Sequence, residues 1–215
     1  MDKIVLKENL FVTPLGTIKC GIAGTEGYWA LIGEASYEHG QSQTIGTHSH
    51  RIELVTFKRK LPLYNGESLA DTMGWLWRIE KISSRFNPIE LYCQLTDYDK
   101  NVEFGFSAGE HLDSVEVNDN EWVLHIGVED GEIIQYRASQ NDGMPARFED
   151  SFGFSNSPHQ QQREGFLTPI PDLNEGEHIH LHYITAFDRK NRESVNTWLA
   201  VDMFKRDIEN WIGIW

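Results

Sequence analysis

The chain has 215 residues, 40% of them hydrophobic and 12% aromatic, with 19 Lys+Arg against 33 Asp+Glu and a formal net charge of −14. That length and apolar content suit a single domain spanning 1–215. A phosphate-backbone footprint needs clustered cations, so nucleic acid is not an expected partner. No run approaches the roughly 18 apolar residues that cross a bilayer, so a membrane is not expected either.

The stretch Met1–Glu8 meets charge after a short apolar run and lacks the apolar core of a secretory signal. Cys20 and Cys93 stand far apart in apolar surroundings. They read as two buried thiols, and the expected location is the cytoplasm.

Most of the signal has a period of two. Runs rich in Val, Ile, Thr, Tyr, Phe and Trp recur between Gly, Asn and Asp clusters. They predict strands at Ile4–Leu6, Leu10–Thr13, Thr17–Cys20, Tyr28–Glu34 and Ile52–Lys58, then at Ile89–Thr96, Val102–Ser107, Trp122–Val128, Ile133–Arg137, Ile179–Phe187 and Thr197–Val201. Asp97–Asn101 reads as a hairpin loop, and Asp130-Gly131 as a tight two-residue hairpin turn.

Between the fifth and sixth strands the period changes. Leu69, Met73, Leu76, Ile79, Ile82 and Phe86 fall at steps of three and four. This predicts one main helix near residues 67–85, capped by Asn65 or Ser68 and stopped by Pro88. A second, shorter helix is expected from Met203 to Trp211. The stretch 139–177 carries Pro145, Pro158, Pro169 and Pro171 with little periodicity, and reads as a long ordered loop. Helical and strand patterns do not alternate. The expected class is therefore α+β, predominantly antiparallel β, a sandwich or barrel-like sheet with the main helix packed on it.

Histidine placement is the sharpest chemical feature. His178, His180 and His182 alternate along one predicted strand, which puts three imidazoles on one face and Ile179, Leu181 and Tyr183 on the other. His48 and His50 repeat the spacing at the entry to another strand. Two histidines at i and i+2 stand about 7 Å apart at Cα and can share one ion. These five residues are the candidate ligands of a divalent metal (Zn, Fe or Mn), with His125, Glu38 and His39 as further donors. Glu53 or Glu38 would serve as base toward a bound water, if the two histidine strands are neighbours.

Other motifs are weaker. Gly46-Thr47-His48-Ser49-His50 with Glu53 resembles a fragment of the cupin metal motif. It is one residue short, however, and puts Glu53 on the wrong face of a regular strand, so no family is assigned. Gly105-Phe106-Ser107-Ala108-Gly109 matches the pattern of a nucleophile elbow, but a predicted strand follows it where a helix is required. Asp97-x-Asp99-x-Asn101 opens like a calcium loop and lacks its turn glycine and closing glutamate.

Trp211 and Trp215 are the candidate partner or ligand contacts. The expected function is a non-catalytic binding or protein-interaction protein, an inhibitor or immunity-type partner whose acidic surface meets a basic protein, or one that takes a small ligand. The alternative is a metal-dependent enzyme that activates water through the strand histidines.

Overall fold

A computed structural model describes residues 3–58, 69–109, 111–190 and 195–214. The strands are β1 (Ile4–Thr13), β2 (Gly16–Gly24), β3 (Ala30–Ser36), β4 (Gly40–Gly46), β5 (His50–Phe57), β6 (Asp71–Lys81), β7 (Ile89–Thr96), β8 (Glu103–Ala108), β9 (Leu112–Asn118), β10 (Trp122–Glu129), β11 (Gln160–Gln162), β12 (Gly165–Pro169) and β13 (His178–Arg189). Among the described residues three α-helices accompany them: α1 (Gly131–Ser139), α2 (Val195–Val201) and α3 (Lys205–Ile212).

The strands form two sheets, a five-stranded one in the order β1-β2-β7-β12-β11 and an eight-stranded one in the order β3-β4-β5-β6-β13-β10-β9-β8. Every pairing is antiparallel. The class is the expected α+β with sandwich-like packing of antiparallel sheets. No helix among the described residues is long and apolar enough to cross a membrane.

The main core lies between the sheets. Ile18, Ile22, Leu91 and Phe166 of the smaller sheet meet Ile52, Trp75, Trp77, Leu181 and Tyr183 of the larger one. A second apolar cluster sits on the opposite face of the larger sheet, where Val55, Phe57, Leu76 and Ile184 are covered by Ala200, Val201, Met203, Ile208 and Ile212 from α2, α3 and their connection. The central strands β6 and β13 are thus buried on both faces.

That double burial corrects the expected helix near 67–85. Its part from Asp71 to Lys81 is strand β6, paired with β5 and β13 along its length. The expected caps Asn65 and Ser68 lie outside the described residues. Gly74, Trp75, Leu76 and Trp77 are buried in succession because Trp75 and Trp77 face the inter-sheet core while Gly74 and Leu76 face the helices. A strand apolar on both sides loses its period of two, and steps of three and four arise by chance within the run.

Four further expectations change. Asp130 does not begin a hairpin; its carboxylate accepts the Ile133 amide at 2.8 Å and caps α1, so the expected strand Ile133–Arg137 is helical. Aspartate serves turns and N-caps equally, and only the following residues distinguish them. Thr197–Val201 is helical in α2, with Ala200 and Val201 buried against the larger sheet. Asp97–Asn101 joins β7 to β8, which belong to different sheets, and is a crossover. The stretch 139–177 holds a short 3-10 helix at Ala146–Ser151 and the strands β11 and β12, with Phe166 buried in the main core. The short C-terminal helix is close to its expected place, as α3.

Gly74 shows how tight the second face is. A Cβ there would overlap the aromatic ring of Phe57. Gly74→Ala is expected to lower stability by about 1–3 kcal/mol, and Phe57→Leu in the same chain to recover part of that loss. Urea unfolding of the single and double variants checks this; equal stability of Gly74→Ala and the parent would contradict it.

Candidate functional site

Strand register decides where the imidazoles go. In an antiparallel sheet, directly opposed residues share a face. Arg51, Glu80 and His178 form one such row across β5, β6 and β13, and Glu53, Arg78 and His180 form the next. His178, His180 and His182 therefore all lie on the outer face of the larger sheet, the one bearing the helices. His50 stands opposite Lys81 on the other face, in line with Ile52 and Leu54 of the inter-sheet side.

His50 is thus separated from the β13 histidines by β6 and points to the opposite side of the sheet, and His48 lies outside the paired strands. These histidines do not assemble one coordination sphere. Among the described residues, no group of three or more His, Cys, Asp or Glu side chains is placed to hold a metal ion.

Each candidate has its own surroundings. His48 lies in the turn before β5, with its ring stacked on Tyr28 at 4.8 Å. His50 is buried, and its Nδ1 lies 2.9 Å from Ser49 Oγ. Ser49 Oγ also meets Glu26 Oε2 and Asn87 Nδ2, each at 3.0 Å. Here the fully buried serine sits between histidine and glutamate, so the cluster ties together the 25–29, 47–50 and 82–88 segments. It does not line up a nucleophile with a base and its orienting acid.

Glu53 lies on the outer face, bonded to Tyr37 Oη at 2.9 Å and Arg78 Nη1 at 2.9 Å. Glu38 is exposed, 3.6 Å from the ring of its neighbour His39. That ring stacks at 4.3 Å on Trp211, whose Nε1 donates to the Lys58 carbonyl. Trp215 lies outside the described residues. His125 is buried, its Nδ1 3.0 Å from Thr197 Oγ1.

The outer face carries a buried charge network that no motif announced. Glu129, at the end of β10, is 3% exposed. Its carboxylate accepts from Arg137 of α1 and, at 3.0 Å, from the backbone N–H of Lys205. Arg137 also donates to the carbonyls of Asp142, Gly143 and His180. Lys205 Nζ bonds Asp142 at 2.6 Å and Glu209 at 2.8 Å, and Glu209 meets His180 Nδ1 at 3.2 Å.

Burial alone would raise the Glu129 carboxyl, but the Arg137 guanidinium, helped by His182, brings it below the usual carboxylate range. Glu209 is lowered to about 2: burial opposes this, and the hydrogen bonds from His180 and Lys205 override it. Both acids are held ionised by fixed partners, an arrangement that suits anchoring better than proton transfer.

His182 is the exception. It is buried, 3.9 Å from Glu129 Oε2, and among the described residues neither ring nitrogen is hydrogen-bonded to a side chain. Burial pushes its imidazole down in pKa, against the pull of Glu129. Above the network opens a cleft of about 690 Å³, floored by Glu129 and Arg137 and walled by Ile133, Tyr136, Phe204 and His111.

The remaining feature is a rim of exposed apolar side chains. Tyr28, Trp29, Leu31 and Ile32 are 44–56% exposed within five positions of the 28–32 segment. Ile32 packs over Gly46, and Ile4 of β1 lies beside Gly27. β3 and β1 are the outermost strands of their sheets. Tyr28-Trp29 and Leu31-Ile32 stand out in the sequence as apolar pairs breaking an alternating pattern, the signal that could have located the rim.

The chain matches no protein-family model, no curated protein and no solved structure.

Two outcomes follow from these surroundings. Arg137→Met leaves Glu129 charged and unpaired in the interior, with an expected cost of about 3–5 kcal/mol; Glu129→Gln with Arg137→Met together should cost less than the two single changes summed. Urea unfolding of the cycle measures this, and simple additivity would contradict it. The second concerns acidification. Burial lowers His50 and His125 from 6.5 to about 4 each, so between those pH values the unfolded chain takes protons that the folded chain refuses. Their contribution to stability is complete above pH 6.5 and declines as pH falls toward 4. Urea midpoints at pH 7.5, 5.5 and 4.5 should fall in that order, less steeply in His125→Gln; a flat profile would contradict it.

Proposed function

We propose that this protein is a non-catalytic binding module that engages a protein partner through the apolar rim of Tyr28, Trp29, Leu31 and Ile32. The observation that carries the reading is the concentration of half-exposed large apolar side chains on the outermost strand of the larger sheet, Leu31 and Ile32, and in the two residues Tyr28 and Trp29 just before it. Water-facing apolar surface of this kind is held at a cost in solubility and marks contact sites. An outermost strand also offers unpaired backbone groups to an incoming chain. The formal charge of −14 supports a partner with basic character around an apolar centre, since such charge speeds encounter and rejects acidic competitors.

The alternative of a metal-dependent enzyme draws no support from the site. His50 faces away from the β13 histidines, His48 lies in the turn before β5, and the buried carboxylates near His180 and His182 are already bonded to cations.

The rim is tested by Leu31→Glu with Ile32→Glu. Both side chains are exposed, so circular dichroism and the unfolding midpoint should stay within about 0.5 kcal/mol of the parent. Affinity capture from the source cell extract should recover a protein with the parent chain that the double variant loses, and recovery should fall as salt rises. Identical recovery by both chains, or none by the parent, would remove the rim as the contact surface.

A further inference from the structure

The two cysteines, widely separated in sequence, meet in the fold. Register sets Cys20 of β2 directly opposite Cys93 of β7 in adjacent antiparallel strands. Both side chains are fully buried and point into the inter-sheet core, and the Cys20 thiol interacts with that of Cys93 and with Trp77. Opposed residues in such a pair have Cα atoms about 5.5 Å apart when hydrogen-bonded to each other and about 4.5 Å apart when not. Either spacing lies within the roughly 4.4–6.8 Å that a disulfide spans. The two sulfurs are thus held free but on facing positions of neighbouring strands. From this juxtaposition we infer that Cys20 and Cys93 are a disulfide-forming pair, closed by a small-molecule or protein disulfide as oxidant.

The exchange proceeds in two displacements. One cysteine thiolate attacks a sulfur of the oxidant, here glutathione disulfide, forming a mixed disulfide and releasing one glutathione thiolate. The second cysteine thiolate attacks the cysteine sulfur of that mixed disulfide. The Cys20–Cys93 bond forms and the second glutathione leaves. Two electrons pass from the protein to the oxidant, and the two thiol protons end on the released glutathione.

Timing follows from burial. In the folded chain neither sulfur is exposed, and burial pushes the Cys20 thiol well above its ordinary pKa, so the attacking thiolate is scarce. The bond forms while β2 and β7 are paired but not yet covered by β6 and β13. Once the sheets close, the same burial shields it from reductants. The pair records the redox conditions in which the chain folded, and the folded protein does not respond to later changes.

The test unfolds the reduced protein in urea and refolds it either with a mixture of reduced and oxidised glutathione or with dithiothreitol alone. Refolding with glutathione should give a monomer lighter by two hydrogens. That monomer should take no maleimide after denaturation and melt about 5–10 °C higher than the dithiothreitol sample. Folded reduced protein given the same glutathione mixture should stay reduced over the same period. Cys93→Ala refolded in parallel should show no rise in melting temperature between the two buffers. The inference is overturned if the protein refolded with glutathione still takes two maleimides, if it yields only glutathione adducts or linked dimers, or if its bridged form melts no higher than the reduced one.

Discussion

The constraint on which the molecule depends is the burial of β6 and β13 from both sides. One face packs against the smaller sheet through Trp75, Trp77, Leu181 and Tyr183. The other is covered by α2, α3 and the segment between them through Leu76 and Ile184. A strand in this position has few places for polar groups, and those it carries are driven into partnerships. His180, on the helix side of β13, is hydrogen-bonded to Glu209, and His182 beside it is buried 3.9 Å from Glu129. The charge network is the polar counterpart of the apolar packing and occupies the ground between its patches.

This arrangement also explains which features were legible in the residues. A strand with one wetter face was readable, since β7 alternates buried and half-buried positions throughout; β13, although covered on both sides, was readable because its polar face carries imidazoles and its other face aliphatic and aromatic side chains. The doubly buried β6 was not, because its period vanished. Asp130-Gly131 was ambiguous between a turn and a helix start, and a short apolar run such as Thr197–Val201 fits a strand or a helix until its packing partners are known. The alternation of His178, His180 and His182 was visible. Which strand would stand between them and His50 was not, since that depends on pairing between segments far apart in the chain. Register, a property of the assembled sheet, separates His50 from the β13 histidines.

The same long-range pairing brings together groups that spacing in sequence gives no reason to connect. Glu129 meets Lys205, Cys20 meets Cys93, and Trp75 Nε1 donates to Asn9 across the sandwich at 3.0 Å. Local signals of the usual kinds, a capping residue or a run of alternating polarity, locate elements. The chemistry of this chain resides in what those elements are paired with.

Arg137 shows what such pairing does to motion. Its guanidinium joins the end of β10, the turn at 142–143 and the backbone of β13 to the helix that carries it. A segment tied at so many points resists fraying by itself, because opening one side breaks hydrogen bonds that a single guanidinium makes to several elements at once. Residues 129–143 therefore share the fate of the central strands, and this part of the surface behaves mechanically as interior.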